Sequence, residues 1–224
     1  MNDKEIKAWR LECQAGQLIK KMEKRGFNAL YAPTAEEAKQ AVLSLIPEAG
    51  TVGLVGSQTM NQLGVYAHLR ESGRELVDHA MFKAQNAEEA DDYKRRVFTV
   101  EAMLASANAV DGEGRLYNID GVGNRVAAIA YGPKRVIAVV GMNKVCHSNE
   151  SALERARTLA APLNTQRIAI NPHFTAAEGT PCVLNGSCAD CTSEDCICAT
   201  VVATRFCKPP ARVKVILVGE DLGF

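Results

Sequence analysis

The chain has 224 residues, 47% of them hydrophobic and only 5% aromatic, and its 26 Lys and Arg are matched by 26 Asp and Glu. That length suits one well-buried domain. Zero net charge argues against an extended nucleic-acid surface, and no apolar run reaches the roughly 18 residues of a membrane span.

In chain order, Ile6, Trp9, Leu11, Cys13, Leu18 and Met22 recur at helical spacing over the first 25 residues, with Gly26 as a stop. The opening residues are polar and carry no signal-peptide pattern, so a cytoplasmic, reducing location is expected. Phe27 to Tyr31 is a short apolar stretch. Thr34 and Glu37 then form a capping box for a helix that runs to about Ile46, before Pro47. Thr51 to Val55 reads as a buried strand. It ends in the small-residue turn Gly56-Ser57-Gln58-Thr59, followed by a helix through Leu63 and Leu69.

Residues 88–107 read as helical and lead into Asn108 to Val110, which ends at Asp111-Gly-Glu-Gly114. Leu116 to Ile119 leads into Asp120-Gly121-Val122-Gly123-Asn124-Arg125. Arg135 to Val140 is the clearest buried strand and ends in Gly141-Met142-Asn143-Lys144. Residues 150–160 read as a helix and Arg167 to Ile170 as extended. A cysteine-rich segment, 172–208, precedes a last strand at Arg212 to Val218. Helices alternating with uninterrupted apolar strands predict an α/β fold with a mostly parallel sheet covered on both faces. The expected organisation is a single domain over 1–224, with 172–208 as an insertion within it.

Ligands of such sheets gather at the carboxyl ends of the strands. Three turn motifs are expected there, with Gly56, Ser57, Thr59, Gly121, Gly123, Asn124, Arg125, Asn143 and Lys144 as ligand-binding candidates. Glycine lets backbone approach a ligand, hydroxyls donate hydrogen bonds, and Arg125 and Lys144 supply positive charge for a carboxylate or phosphate. Asp111 and Asp120 are the candidate general bases. Gly121-x-Gly123 is not a dinucleotide fingerprint, since Val126 stands at the third glycine position. His147, beside Cys146, reads as structural, and His68 and His79 read as surface residues. His173 is kept as a candidate ligand or acid–base group.

Cys182, Cys188, Cys191, Cys196, Cys198 and Cys207 are six of the eight cysteines and lie within 26 residues. Cys188-x-x-Cys191 is a spacing at which one tight turn can aim two thiolates at one ion, with Cys182 and either Cys196 or Cys198 completing a set of four. No histidine falls within the run, so structural zinc or an iron–sulfur cluster is expected. A redox dithiol or disulfide, or free thiols in an irregular loop, are the other readings of the same residues.

The segments Asn118-Ile-Asp-Gly-Val-Gly-Asn-Arg-Val-Ala-Ala128, Gly132-Pro133, Val136-Ile-Ala-Val-Val-Gly-Met-Asn-Lys144 and Val215-Ile-Leu-Val-Gly-Glu-Asp-Leu-Gly-Phe224 resemble the lactate-utilisation (LUD, DUF162) domain family over essentially the entire chain. The resemblance implies the fold shared by glucosamine-6-phosphate deaminase, ribose-5-phosphate isomerase and the CoA transferases. Gly53 to Thr59 is similar to their phosphate-binding strand and turn, and Asp111 with Gly121-x-Gly123 to the isomerase's catalytic loops. Asp120 stands where that isomerase pattern favours lysine, and no glutamate follows Gly123. Cysteine-bearing members match at Cys182, Cys188, Cys191 and Cys198, while Cys196 takes the place of an arginine.

The function implied is support of the oxidation of lactate or a related small hydroxy acid. The chain would act as a redox or accessory subunit, with a [4Fe–4S] cluster or zinc beside an anion-binding edge. A small anionic substrate and redox partner subunits follow from that, and self-association is consistent with it. A sugar-phosphate isomerase or hydrolase using Asp111 or Asp120, and a non-catalytic thiol or metal sensor, are the alternatives.

Overall fold

The computed structural model describes residues 1–171 and 177–224. Helices α1 (Asp3–Lys24), α2 (Ala35–Leu45), α3 (Gln58–Gln62), α4 (Val65–Glu71) and α5 (Ala87–Arg95) are interleaved with strands β1 (Asn28–Ala32), β2 (Val52–Leu54) and β3 (Leu76–Asp78). Strands β4 (Ala102–Ser106), β5 (Ala109–Val110) and β6 (Leu116–Asp120) precede α6 (Asn124–Ala130) and β7 (Arg135–Gly141). Then follow α7 (Asn149–Arg155), α8 (Ala161–Ala169), α9 (Pro181–Asn185), β8 (Thr200–Thr204) and β9 (Val213–Val218).

Six strands form a parallel sheet in the order β1-β9-β7-β4-β2-β3. Alternation along its strands sends side chains to two cores, because successive residues of a strand point to opposite faces. Val136, Ala138 and Val140 of β7 face Leu18 and Met22 of α1, whereas Ile137 and Val139 face Val42 of α2 and the Met60 and Tyr66 side chains. Both faces are therefore covered, as a continuous apolar strand requires. A smaller antiparallel sheet, β5-β6-β8, stands beside this one and packs Tyr117 and Ile119 against Ala152 and Ala156.

Thr34 caps α2, its hydroxyl accepting from the Glu37 amide at 3.2 Å and donating to the Glu37 carboxylate at 3.0 Å. Thr34→Ala is expected to cost about 1 kcal/mol, read as a lower urea midpoint with an unchanged slope.

Three expectations change. The predicted helix over 88–107 stops near Thr99, and Ala102 to Ser106 is instead β4, paired between β2 and β7. Ala, Met and Leu favour helix in isolation, but burial on both sides in mid-sheet overrides that preference. Arg167 to Ala169 is not extended but the last turn of α8, which continues from α7 through a π-helical turn at Ala156–Ala160. The cysteine-rich segment also contains β8, which pairs with β6 along its whole length. Among the described residues no helix is long and apolar enough to cross a membrane.

Because the strands run parallel, their carboxyl ends deliver chain to one edge. β2 leads to Gly56–Thr59, β4 ends at Ser106, β7 leads to Lys144, and β9 leads to the segment ending at Phe224.

Candidate functional site

At that edge the side chain of Lys144 is 3% exposed, and its ammonium donates to Thr59 Oγ1 at 3.1 Å and Ser106 Oγ at 3.2 Å. Three strand ends thus supply one hydrogen-bonded group. Among the described residues Lys144 makes no ion pair with a carboxylate. Burial, and then the nearby Arg155 and Arg125 guanidiniums, push its ammonium down to about 7. A Cβ on Gly223 would stand 2.5 Å from Thr59 Oγ1 and 2.8 Å from Lys144 Nζ, and φ there is +62°, so glycine is what lets the final segment lie over the amine. These groups line a cavity of about 60 Å³, with Arg125, Asn118 and Asn164 on its walls. At a liquid share of about 30 Å³ per water it holds about two waters or one small group.

Arg125, at the start of α6, donates through its guanidinium to the Ile119 carbonyl, and its Nε lies 3.9 Å from Asp120 Oδ2. Asp120 borders the cleft, yet the same Oδ2 accepts the Arg125 and Val126 amides at 2.9 and 3.1 Å. It anchors the first turn of α6. Gly123, at φ +84°, caps that helix, and Asn124 and Gly121 line a wider chamber of about 490 Å³. Gly56, Arg125 and Asn164 border both this chamber and the lysine cavity. One cleft therefore has a narrow end at Lys144 and a broad end beyond Arg125.

The remaining sequence candidates support the cleft from behind or lie elsewhere. Ser57 lines the lysine cavity and caps α3 by accepting the Met60 amide at 3.3 Å. Asn143 holds the final segment through a 3.2 Å bond from the Leu222 amide. Asp111 is fully buried away from the cleft. It accepts from the Glu113 and Arg115 amides at 3.0 Å each, from Arg115 Nε at 2.5 Å and from Tyr117 Oη at 2.7 Å. Burial opposes its charge, but the Arg115 amide, the Tyr117 hydroxyl and the Arg115 guanidinium outweigh that and hold the carboxyl below its ordinary range. Cys146 and His147 line a separate depression near α1. His173 lies outside the described residues.

Cys182, Cys188, Cys191, Cys196 and Cys198 all line one cavity of about 200 Å³, and none is disulfide-bonded. Burial and the crowding of Cys196, Cys188 and Cys191 push the Cys198 thiol up to about 11. Cys207 is separate, a core residue whose sulfur accepts the Val213 amide at 3.3 Å. Among the described residues no three His, Cys, Asp or Glu side chains converge closely enough to hold a single metal ion as they stand. Four thiolates on one zinc, each about 2.3 Å from the ion, must lie within about 4 Å of one another. The ligands of an iron–sulfur cluster bind different irons and are not held to that spacing. The cysteine loop also forms part of the cleft. A Cβ on Gly121 would stand 3.3 Å from Ile197 Cα and 3.6 Å from the Cys196 carbonyl, and Ile197 lines both the thiol cavity and the wide chamber.

Sequence reading missed Ser106, Asn118 and Asn164, and the wide chamber's Arg70, Lys94, Arg167 and His79. His79, read as a surface residue, is half-buried, and its Nε2 is a buried atom without a hydrogen-bond partner among the described residues. No spacing rule joins these positions, which come from β4 and β6, from helices α4, α5 and α8, and from the loop after β3.

The LUD domain family model matches residues 15–218. The chain is also similar to a solved structure of a DUF162 family protein from Deinococcus radiodurans, with 13% identity and a TM-score of 0.52, covering 93% of this chain and 98% of that one. No curated protein matches.

Proposed function

Since the chain belongs to the LUD domain family, we propose that it is a redox or accessory subunit in the oxidation of lactate or a related small hydroxy acid. Cys182, Cys188, Cys191 and Cys198 would hold a [4Fe–4S] cluster, with Cys196 as the additional thiol beside it. The observation that carries this reading is the shared wall: Ile197 separates the thiol cavity from the cleft, and Cys196 packs on the Asp120-Gly121 turn. Bound there, such a cluster supplies one-electron transfer.

The chain's own residues do the rest. Arg125 presents a guanidinium to a carboxylate at the mouth of the narrow cavity. Lys144, poised near 7, takes the hydroxyl proton of the substrate, and Thr59 and Ser106 fix the direction of its Nζ. Conversion of a hydroxyl to a carbonyl releases the hydroxyl proton, which Lys144 takes, and the α-hydrogen with its electron pair. That pair needs a two-electron acceptor outside this chain, because a single cluster accepts one electron. A partner subunit must take the electrons onward, which suits an accessory role.

Anaerobic purification with iron, zinc and acid-labile sulfide analysis on one sample tests the cluster. About four irons and four sulfides per chain, with broad visible absorption that Cys188→Ser removes, is the expected result. Colourless protein carrying one zinc would overturn the electron-transfer role.

A further inference from the structure

The wide chamber is too large for a hydroxy acid and carries the wrong charge for an apolar one. Its volume of about 490 Å³ lies in the range of sites that enclose whole cofactors and metabolites. Four cationic side chains line it: Arg70, Lys94, Arg125 and Arg167. Arg70 is neutralised by Asp78 at 2.7 Å, and Arg125 has Asp120 at 3.9 Å. Arg167 donates twice to Asn164 Oδ1, at 2.9 and 2.7 Å, a neutral partner, and among the described residues no carboxylate pairs with it. Lys94 has no ion-pair partner among the described residues.

Two like charges therefore share one concave surface. Burial, and then Arg125, depress the Arg167 guanidinium, so the two guanidiniums are near enough to repel. An anion between them converts that repulsion into attraction. Tyr66, Ile119 and Ile168 also line the chamber and offer apolar contact to an organic body. We propose that the wide chamber binds a phosphate ester, its phosphate between Arg125 and Arg167 with Lys94 beside them, and its organic part against the Tyr66 wall toward His79. This ligand is distinct from the small acid at Lys144, which enters the narrow end of the same cleft.

Calorimetric titration of the full chain with adenosine diphosphate, ribose 5-phosphate and inorganic phosphate tests the assignment. At least one ester is expected to bind at least tenfold more tightly than inorganic phosphate. Lys94→Gln and Arg167→Gln should each weaken it roughly tenfold, as for a lost charge-assisted hydrogen bond, while Lys20→Gln on the exposed face of α1 should not. Among the described residues the Lys94 side chain makes no hydrogen bond or ion pair, so its variant keeps the result interpretable if Arg167→Gln disturbs α8. Esters that bind no better than inorganic phosphate, or a Lys94→Gln protein that binds the ester like wild type, would overturn the site. Neither outcome touches the cysteine cavity, whose metal content is read separately.

Discussion

Lys144→Met should lower kcat/KM for hydroxy-acid oxidation in the reconstituted complex by at least about 100-fold, the usual effect of removing a general base, and should make the protein more stable at neutral pH. Loss of activity with gain of stability is the signature of a group held for chemistry. Among the described residues the buried ammonium has no carboxylate partner, and two hydroxyls replace only part of its hydration. Methionine fills similar volume without a charge.

The pH dependence fixes the sign. The unfolded chain holds the lysine proton up to about 10.5, whereas the folded protein releases it at about 7. Between those values the unfolded state binds more protons, so this group's contribution to stability rises with pH, on the order of 1 kcal/mol per pH unit. Below pH 7 both states are charged and the full penalty stands. Urea unfolding of wild type and Lys144→Met from pH 7 to pH 9.5 should therefore show the variant's advantage shrinking as pH rises. An advantage independent of pH would mean that the folded lysine keeps its ordinary proton affinity and that the gain comes from packing, which would overturn this account. Turnover should rise with pH through about 7, as the neutral amine appears.

Much of this edge can be read from sequence because three of its strands, β2, β7 and β9, are apolar runs broken only by Lys214 in β9, two of them ending in recognisable turns. Thr59 and Lys144 follow from those turns. Ser106 does not, because it ends a strand written Ala-Met-Leu-Ala-Ser, whose residues favour helix and whose strand character comes only from its place between β2 and β7. Arg70, Lys94 and Arg167 sit on separate helices and meet only through the chain's path around the sheet. The cysteine spacing points to one cavity and the structure gathers five of the thiols there, yet the contact of that loop with Gly121 depends on β8 pairing with β6.

Asp111 is the opposite case, a loop carboxylate followed by glycine that reads as catalytic but whose partners lie within six residues of it. Arg115 immediately precedes the return strand β6 and Tyr117 lies in it, and two amides close the turn. Asp111→Ala should cost about 1–3 kcal/mol, because it removes several hydrogen bonds from a buried site, while the partly exposed Arg115 can turn to solvent. The carboxyl's depressed pKa adds a second mark. Its stabilisation is fully present above the unfolded value of about 3.8 and is lost as pH falls through the lower folded value, so wild type should lose this contribution in acid and Asp111→Asn should lack that component of the acid transition. Ester and hydroxy-acid binding at temperatures where the variants remain folded should be unchanged. A variant of wild-type stability that has lost turnover would reverse this assignment and make Asp111 the base that its loop resembles.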